Sequence, residues 1–321
     1  MSVFYSAVSG VLEILIMIAL GFILARNNWF DAKMTSLIAK LVTQIALPAY
    51  MAATIIEKFT APELLRTLPD LLFPVISMLV LFIVSIPIAK FFKIKPSHRG
   101  LFQSMFANSN TVFVGLPVNM ALFHQRSLPF VLVYYMANTT FFWTLGVYLI
   151  QKDGTGSGHF DWRTTLKKVF SPPLMGFIVG VIFVLTGISE IFKDPNGLGF
   201  ILSDLEYIGG LTIPLSMIFI GISINSVNLV NVHFDRSHWL ILLGRFVIAP
   251  LLMAALVIPS PMPLLMKQVF IMQSAMPVMT NAPVVARLYN ADSEYASIMV
   301  TETTLMSLLV IPILMVLVQH I

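Results

Sequence analysis

The chain has no cysteine, so disulfides, thiolate nucleophiles and cysteine-ligated metals are excluded. It is also poor in charge: Asp, Glu, Lys and Arg make up 11% of 321 residues, against roughly 25% in soluble domains. The six histidines lie in or beside polar connections, and no two share a helix at metal-ligand spacing. No Ser/His/Asp set or paired carboxylates occur within the apolar segments, so the chain is not read as an enzyme, and no cofactor or metal is expected. Gly154-Thr155-Gly156-Ser157-Gly158 is glycine-rich, but no Gly-Lys-Ser/Thr follows and no strand precedes it. It reads as a flexible linker rather than a phosphate loop.

What is abundant is apolar surface. Hydrophobic residues are 58% of the chain and mean hydropathy is +0.90. One soluble core cannot hide that much, so lipid is the solvent for most of it. The net charge of +4 sits in short connections between apolar runs. That pattern orients helices in a bilayer and does not point to nucleic acid.

Ten segments are long enough for a roughly 30 Å apolar layer: Tyr5–Ala25, Met34–Ile56, Leu68–Lys90, Gly100–Phe123, Phe130–Gln151, Leu166–Gly187, Gly199–Asn225, Trp239–Pro259, Leu265–Tyr289 and Tyr295–Gln319. The first apolar run lacks a basic leader and a small-residue cleavage site, so it is read as a retained helix rather than a signal peptide. With the N-terminus outside, the cytoplasmic loops carry twelve Lys and Arg and the outer loops five, while Lys40 and Arg245 fall inside spans. Both termini are therefore expected outside the cytoplasm of a multi-pass plasma-membrane protein.

The polar stretch 152–163 divides the chain into residues 1–151 and 164–321, five spans each. A shift of 166 residues places Gly10 on Gly176, Gly21 on Gly187, Pro48 on Pro214 and Pro117 on Pro283. An odd number of spans per copy turns the second copy upside down. Inverted repeats serve alternating access, because exchanging the conformations of two similar halves swaps which side is open.

The fourth and ninth spans carry matching interruptions. One reads Asn108-Ser109-Asn110-Thr111, then Gly115 and Pro117; the other reads Pro277, then Thr280-Asn281 and Pro283. Each proline removes a helical hydrogen bond but suits the first turn of a new helix. Two half-helices per span are expected, with second halves starting near Pro117 and Pro283. Irregular backbone at that depth needs protein or a water-filled cavity around it. Helix N-termini facing such a cavity, joined by the Asn, Ser and Thr side chains, suit a carboxylate. Proline kinks and polar glue between packed helices offer a blander reading of either segment alone.

Glu13, Arg245 and Glu302 lie within spans, where an unpartnered charge is costly. Arg245 and Glu302 enter from the same side to similar depth, which suggests an ion pair. Arg245 is a candidate attractor for an anionic substrate, and Glu302 and Glu13 are candidates for proton coupling. A static pair joining two helices is the alternative. Gly176 and Gly180, four residues apart, read as a close helix-packing face.

These residues resemble the auxin efflux carrier family of secondary transporters, over essentially the whole chain. The most specific piece is Asn110-Thr111-Val112-Phe113-Val114-Gly115-Leu116-Pro117; Pro214-Leu215 with Gly221, Arg245 with Pro250, Ala275-x-Pro277 and Thr303-Thr304 with Ser307 also agree. The resemblance implies a fold like that of bile-acid symporters, all-α, with breaks in the fourth and ninth helices crossing at the substrate. Helices 1, 2, 6 and 7 would form a scaffold, often dimeric, and helices 3–5 and 8–10 a moving core. It implies an organic-anion substrate, and the short central loop resembles bacterial members, hence a dicarboxylate such as malate or malonate. Transport would be driven by, or exchange with, protons, sodium or another ion. Glu302 departs from the family pattern and points to this member's own substrate or coupling ion. Carriage of auxin-like aromatic acids and a transporter-like sensor of an organic acid are the competing readings, and both short tails disfavour the sensor.

Overall fold

The computed structural model describes residues 2–156, 162–163, 166, 170–194, 197–225, 235–318 and 321. Among them all regular structure is helical, apart from one isolated antiparallel bridge between Ser109 and Val278. In chain order the main helices are α1 (Ser2–Arg26), α2 (Ala32–Lys58), α3 (Ala61–Phe91), α4 (Arg99–Ala107), α5 (Thr111–Phe123), α6 (Gln125–Thr155), α7 (Pro172–Thr186), α8 (Gly199–Asn225), α9 (Arg236–Val257), α10 (Leu264–Ser274), α11 (Ala282–Leu288) and α12 (Ser293–Val318). Six of these, α2, α3, α6, α8, α9 and α12, are long and apolar enough to cross a membrane, whereas α5 and α7 are shorter apolar helices. Leu166 is helical, but 167–169, also part of the expected sixth span, lie outside the described residues. The helix proper starts later, at Pro172, because extended Ser171 precedes a Pro-Pro pair whose fixed φ opens a helix.

Wide π-helical turns interrupt α2 at Val42–Ala46, open α5 at Thr111–Gly115, and interrupt α6 at Phe142–Gly146 and α9 at Gly244–Ile248. Three of the four run straight into a proline at the second residue of the next α-helical stretch: Pro48, Pro117 and Pro250. A proline ring has no N–H to give and clashes with the carbonyl four residues back, and a widened turn relieves both.

The helices cross closely where a side chain would not fit. A Cβ on Gly221 of α8 would lie 2.1 Å from the Ile18 carbonyl oxygen of α1, and one on Gly21 would lie 2.3 Å from that of Ile218. A Cβ on Gly176 of α7 would likewise meet the Pro48 carbonyl oxygen of α2 at 2.3 Å. The packing role anticipated for Gly176 and Gly180 is what they perform, Gly180 lying against Ile55. Small residues substitute for a hydrophobic driving force in lipid by letting backbones touch.

The glycine-rich linker is only partly a linker. Gly154 and Thr155 belong to α6, and a Cβ on Gly154 would lie 2.0 Å from the Tyr289 carbonyl oxygen, so this glycine is a packing surface. Gly156 ends the helix in the left-handed conformation, and Ser157 and Gly158 lie outside the described residues. The Asp153 side chain turns back to accept the Leu101 N–H in the first turn of α4. Buried side chains form two apolar clusters here, one holding Phe102 and Phe106 of α4 with Phe142 of α6, the other Tyr134 of α6 with Phe270 of α10.

Candidate functional site

The two interruptions cross. After Ala107 the chain leaves α4, and Asn108 and Ser109 run on before α5 begins at Thr111. After Ser274 it leaves α10 and resumes as α11 at Ala282. The Asn110 N–H donates to the Pro277 carbonyl at 2.8 Å, and Ser109 pairs antiparallel with Val278. Backbone groups removed from helices are thus satisfied partly by each other, as a low-dielectric setting demands.

Neighbouring helices hold others. From α6, Asn138 accepts the Ser109 N–H at 2.9 Å and donates to the Ser109 carbonyl at 2.8 Å, while Asn108 donates to the Asn138 carbonyl at 3.2 Å. From α12, Thr303 Oγ1 accepts the Val278 N–H at 3.1 Å. The last helix of each half therefore props the break of that half.

Arg245 serves both breaks at once. Its Nε donates to the Met276 carbonyl at 3.1 Å, Nη1 to the Phe106 and Ala107 carbonyls at 3.2 and 2.9 Å, and Nη2 to the Ser274 and Met276 carbonyls. The side chain is fully buried. A helix leaves its last carbonyls unpaired and carries roughly half a negative charge there. The ends of α4 and α10 together thus present about one negative charge to one guanidinium. That arrangement neutralises Arg245 without a carboxylate. The expected Arg245–Glu302 pair is accordingly not formed, and Arg245 faces carbonyls rather than a solute. Glu302 Oε1 instead lies 4.0 Å from His238 Nε2.

A cavity of about 540 Å³ adjoins the crossing. The breaks contribute Asn110, Thr111, Thr280 and Asn281 to its wall; α2 contributes Lys40, Thr43 and Gln44; α6 contributes Tyr135, Thr139 and Trp143; Ser171 and Pro172 close it at the head of α7. Lys40 is the one charged residue among these and is exposed. Asn110 caps α5, its Oδ1 accepting the Phe113 N–H at 3.1 Å. The second half of this span therefore opens at Thr111, six residues before Pro117; the wide turn absorbs the proline. At the other break the expected start holds, since Pro283 lies in the first turn of α11.

Of the anticipated site residues, Asn110, Thr111, Thr280 and Asn281 line the cavity, whereas Asn108, Ser109 and Pro277 build the crossing itself. Gly115 and Pro117 are buried in α5, where a Cβ on Gly115 would lie 2.2 Å from Gln273 Oε1. Glu13 is on an exposed face of α1, away from the cavity. Two residues escaped sequence reasoning. For Asn138, the available signal was a lone Asn in the apolar fifth span, next in sequence to the interrupted fourth. Lys40 was visible as a cation well inside a span.

The family comparison bears on this geometry. A family model described as "Membrane transport protein" matches residues 6–159 and 162–315, nearly the whole chain, in two stretches that meet in the central connection. The chain belongs to this family, the auxin efflux carriers. Relatives extend over the full length. An uncharacterized transporter of Methanothermobacter thermautotrophicus is 28% identical over 319 residues, 97% of this chain and 98% of its own. Another, from Methanocaldococcus jannaschii, is 27% identical over 307 residues, 94% of this chain and 95% of its own. The crossing of α4–α5 with α10–α11 thus sits within a membrane transport protein.

Proposed function

We propose that this auxin efflux carrier family member is a secondary carrier of a small organic anion, a dicarboxylate such as malate or malonate. The observation that carries this reading is the composition of the cavity wall. One side comes from the crossed breaks (Asn110, Thr111, Thr280, Asn281) and the other from α2 and the head of α7 (Lys40, Gln44, Ser171). A solute there is held jointly by two groups of helices, so their relative movement exposes it to one side of the membrane and then the other. The Lys40 ammonium, the N-terminus of the thirteen-residue α5 and four amide or hydroxyl side chains favour negative charge.

In the full proposal the ten helical segments form two inverted five-helix repeats, residues 1–151 and 164–321. Spans 1, 2, 6 and 7 are the scaffold, and spans 3–5 and 8–10 the moving core. The close crossings of α1 with α8 and of α2 with α7 join scaffold members only, and a homodimer forms through that scaffold. The protein lies in the plasma membrane with both termini outside, and the cavity opens toward the basic loops.

Trp143, Tyr135 and Phe113 also line the cavity, which favours carriage of a flat aromatic acid as a second reading. Uptake of labelled malate, malonate and an indole acid into proteoliposomes, under separately imposed pH and sodium gradients, tests both. Gradient-driven accumulation of a dicarboxylate is expected. Accumulation of the indole acid alone selects the second reading, and movement of neither overturns both.

A further inference from the structure

At the end of the helices that carries Lys93, Lys95 and Arg99, a group of ionisable side chains descends from the surface to Glu302. Asp235, the residue preceding α9, has a half-exposed side chain; its Oδ1 lies 2.8 Å from His238 Nδ1. His238 is buried, and its Nε2 lies 4.0 Å from Glu302 Oε1. Glu302 is 7% exposed, and neither carboxylate oxygen accepts a hydrogen bond from any described residue. The other groups packed over this corner are Tyr295 of α12, whose ring meets that of His238 edge-on at 5.6 Å, and His98 just before α4, which stacks on Tyr295 at 4.8 Å. Asp292, between α11 and α12, is 3.1 Å from His98 Nε2.

Arg245, the nearby intramembrane cation, is fully engaged with carbonyls, so Glu302 is not its counter-ion. A carboxylate that is nine-tenths buried and accepts no hydrogen bond is incomplete unless it binds a proton or a cation. Among the described residues no group of three or more acids and histidines is arranged to hold a metal ion. The nearest partner is instead an imidazole, the side chain suited to passing protons near neutral pH. The 4.0 Å gap exceeds a hydrogen bond, and about 1 Å of side-chain rotation closes it.

We propose that Glu302 is the proton-binding site of this protein, loaded from the aqueous end through Asp235 and His238. In the loading step imidazolium His238 gives its Nε2 proton to Glu302 Oε1. One N–H bond breaks, one O–H bond forms, and the neutral ring keeps its Nδ1 proton on Asp235 Oδ1 at 2.8 Å, giving up the alternative in which Nδ1 accepts the Asp235 N–H at 3.2 Å. The next proton comes from solvent. Glu302 is adjacent to Thr303, whose hydroxyl oxygen accepts the Val278 N–H of the second break, so the occupied or empty state of the acid is felt one residue from the crossing. The consequence for transport, that the proton drives the anion, rests on the carrier reading above; the proton site itself does not.

The test is made on the purified full-length protein in lipid, by infrared difference spectroscopy between acid and alkaline pH without any solute. A protonated-carboxyl stretch is expected that disappears in Glu302→Gln. In His238→Gln the same stretch remains, its midpoint moved by about one pH unit or its appearance slowed at least tenfold. Thermal unfolding confirms that each variant is folded, and Glu302→Asp, which keeps the acid, should restore a titrating band. A spectrum unchanged by Glu302→Gln overturns the site. An unchanged midpoint and rate in His238→Gln overturns the path. If the band behaves as expected while labelled malate, malonate and indole acid all fail to move, the carrier reading falls and the proton site stands.

Discussion

The carboxamide of Asn138 pairs with both backbone groups of Ser109, accepting its N–H at 2.9 Å and donating to its carbonyl at 2.8 Å, as a neighbouring strand would. One side chain thereby holds both backbone groups of Ser109 at the break in the fourth span. Asn138→Leu should leave the buried Ser109 N–H unpaired, at a cost of about 1–3 kcal/mol, and its carbonyl with the Thr111 N–H alone. Thermal unfolding in detergent should show a fall of several degrees, with Asn138→Asp intermediate because it keeps the acceptor and loses the donor. An unchanged midpoint in both would mean that Ser109 finds other partners.

Arg245 is a clamp on two helix ends. Arg245→Met should remove the guanidinium and expose unpaired carbonyls at the ends of α4 and α10, at a cost of about 3–5 kcal/mol, as when one partner of a buried charged set is removed. Arg245→Lys should recover only part, because a single ammonium cannot span the Phe106, Ala107, Ser274 and Met276 carbonyls. The decisive measurement pairs Arg245→Lys with Glu302→Gln. Independent partners predict that the stability losses add to within about 0.5 kcal/mol. A larger coupling would restore the ion pair that equal depth suggested.

Much of this was legible in the sequence because lipid enforces simple rules. Apolar runs, proline positions and the two polar interruptions located the helices and the crossing, since backbone at that depth has few alternatives. The partners of the ionisable residues were not legible. Depth along a span follows from counting, but which face a side chain presents depends on rotation about the helix axis, and on that Arg245 and Glu302 diverge. The half-helix start at Thr111 was missed for a related reason: a π-helical turn postpones the proline's effect, and a proline alone does not say whether the turn before it widens or breaks. Lys40 was visible as an intramembrane cation, but its place on the cavity depends on how α2 packs against the breaks.

Gly115 tests the packing between the two halves. A Cβ there would lie 2.2 Å from Gln273 Oε1 and 2.9 Å from Cδ, so Gly115→Ala forces the buried Gln273 side chain aside. A loss of about 1–3 kcal/mol is expected for overpacking of this kind. The double variant Gly115→Ala/Gln273→Ala should recover most of it in the same unfolding assay, whereas Gln273→Ala alone should not stabilise. Failure of the second substitution to rescue the first would place the strain in the backbone of the wide turn instead.

Asp235 gives a pH signature at the surface. Its partial burial raises the carboxyl pKa, but hydrogen bonds from Ser237 and His238 outweigh that and hold it below the ordinary carboxylate value. The unfolded chain therefore takes up this proton first on acidification. The stabilisation is complete above the ordinary value of about 4 and is lost as pH falls toward the folded value. Asp235→Ala should lower the unfolding midpoint at neutral pH, and the gap to the parent protein should shrink steadily below about pH 4. A gap that stays constant with pH would show that the hydrogen bonds to Ser237 and His238 act without the charge.

Lys40 is where the anion reading meets a single side chain. It is exposed and lines the cavity with the breaks, so its loss should leave folding untouched while removing a charge-assisted contact worth about 1.5–3 kcal/mol. Lys40→Ala should weaken malonate binding about 10- to 100-fold by isothermal titration, with an unchanged thermal midpoint in the absence of solute. Lys40→Arg should retain most of the affinity, and Lys40→Glu should abolish binding, because it places a negative charge beside the carboxylate. Raised salt should weaken the parent protein's binding and leave the residual affinity of Lys40→Ala largely unmoved, since only the former uses a partly screened charge pair. Equal affinity in the parent and in Lys40→Glu would mean that the anion does not lie in this cavity, whatever the transport assay finds.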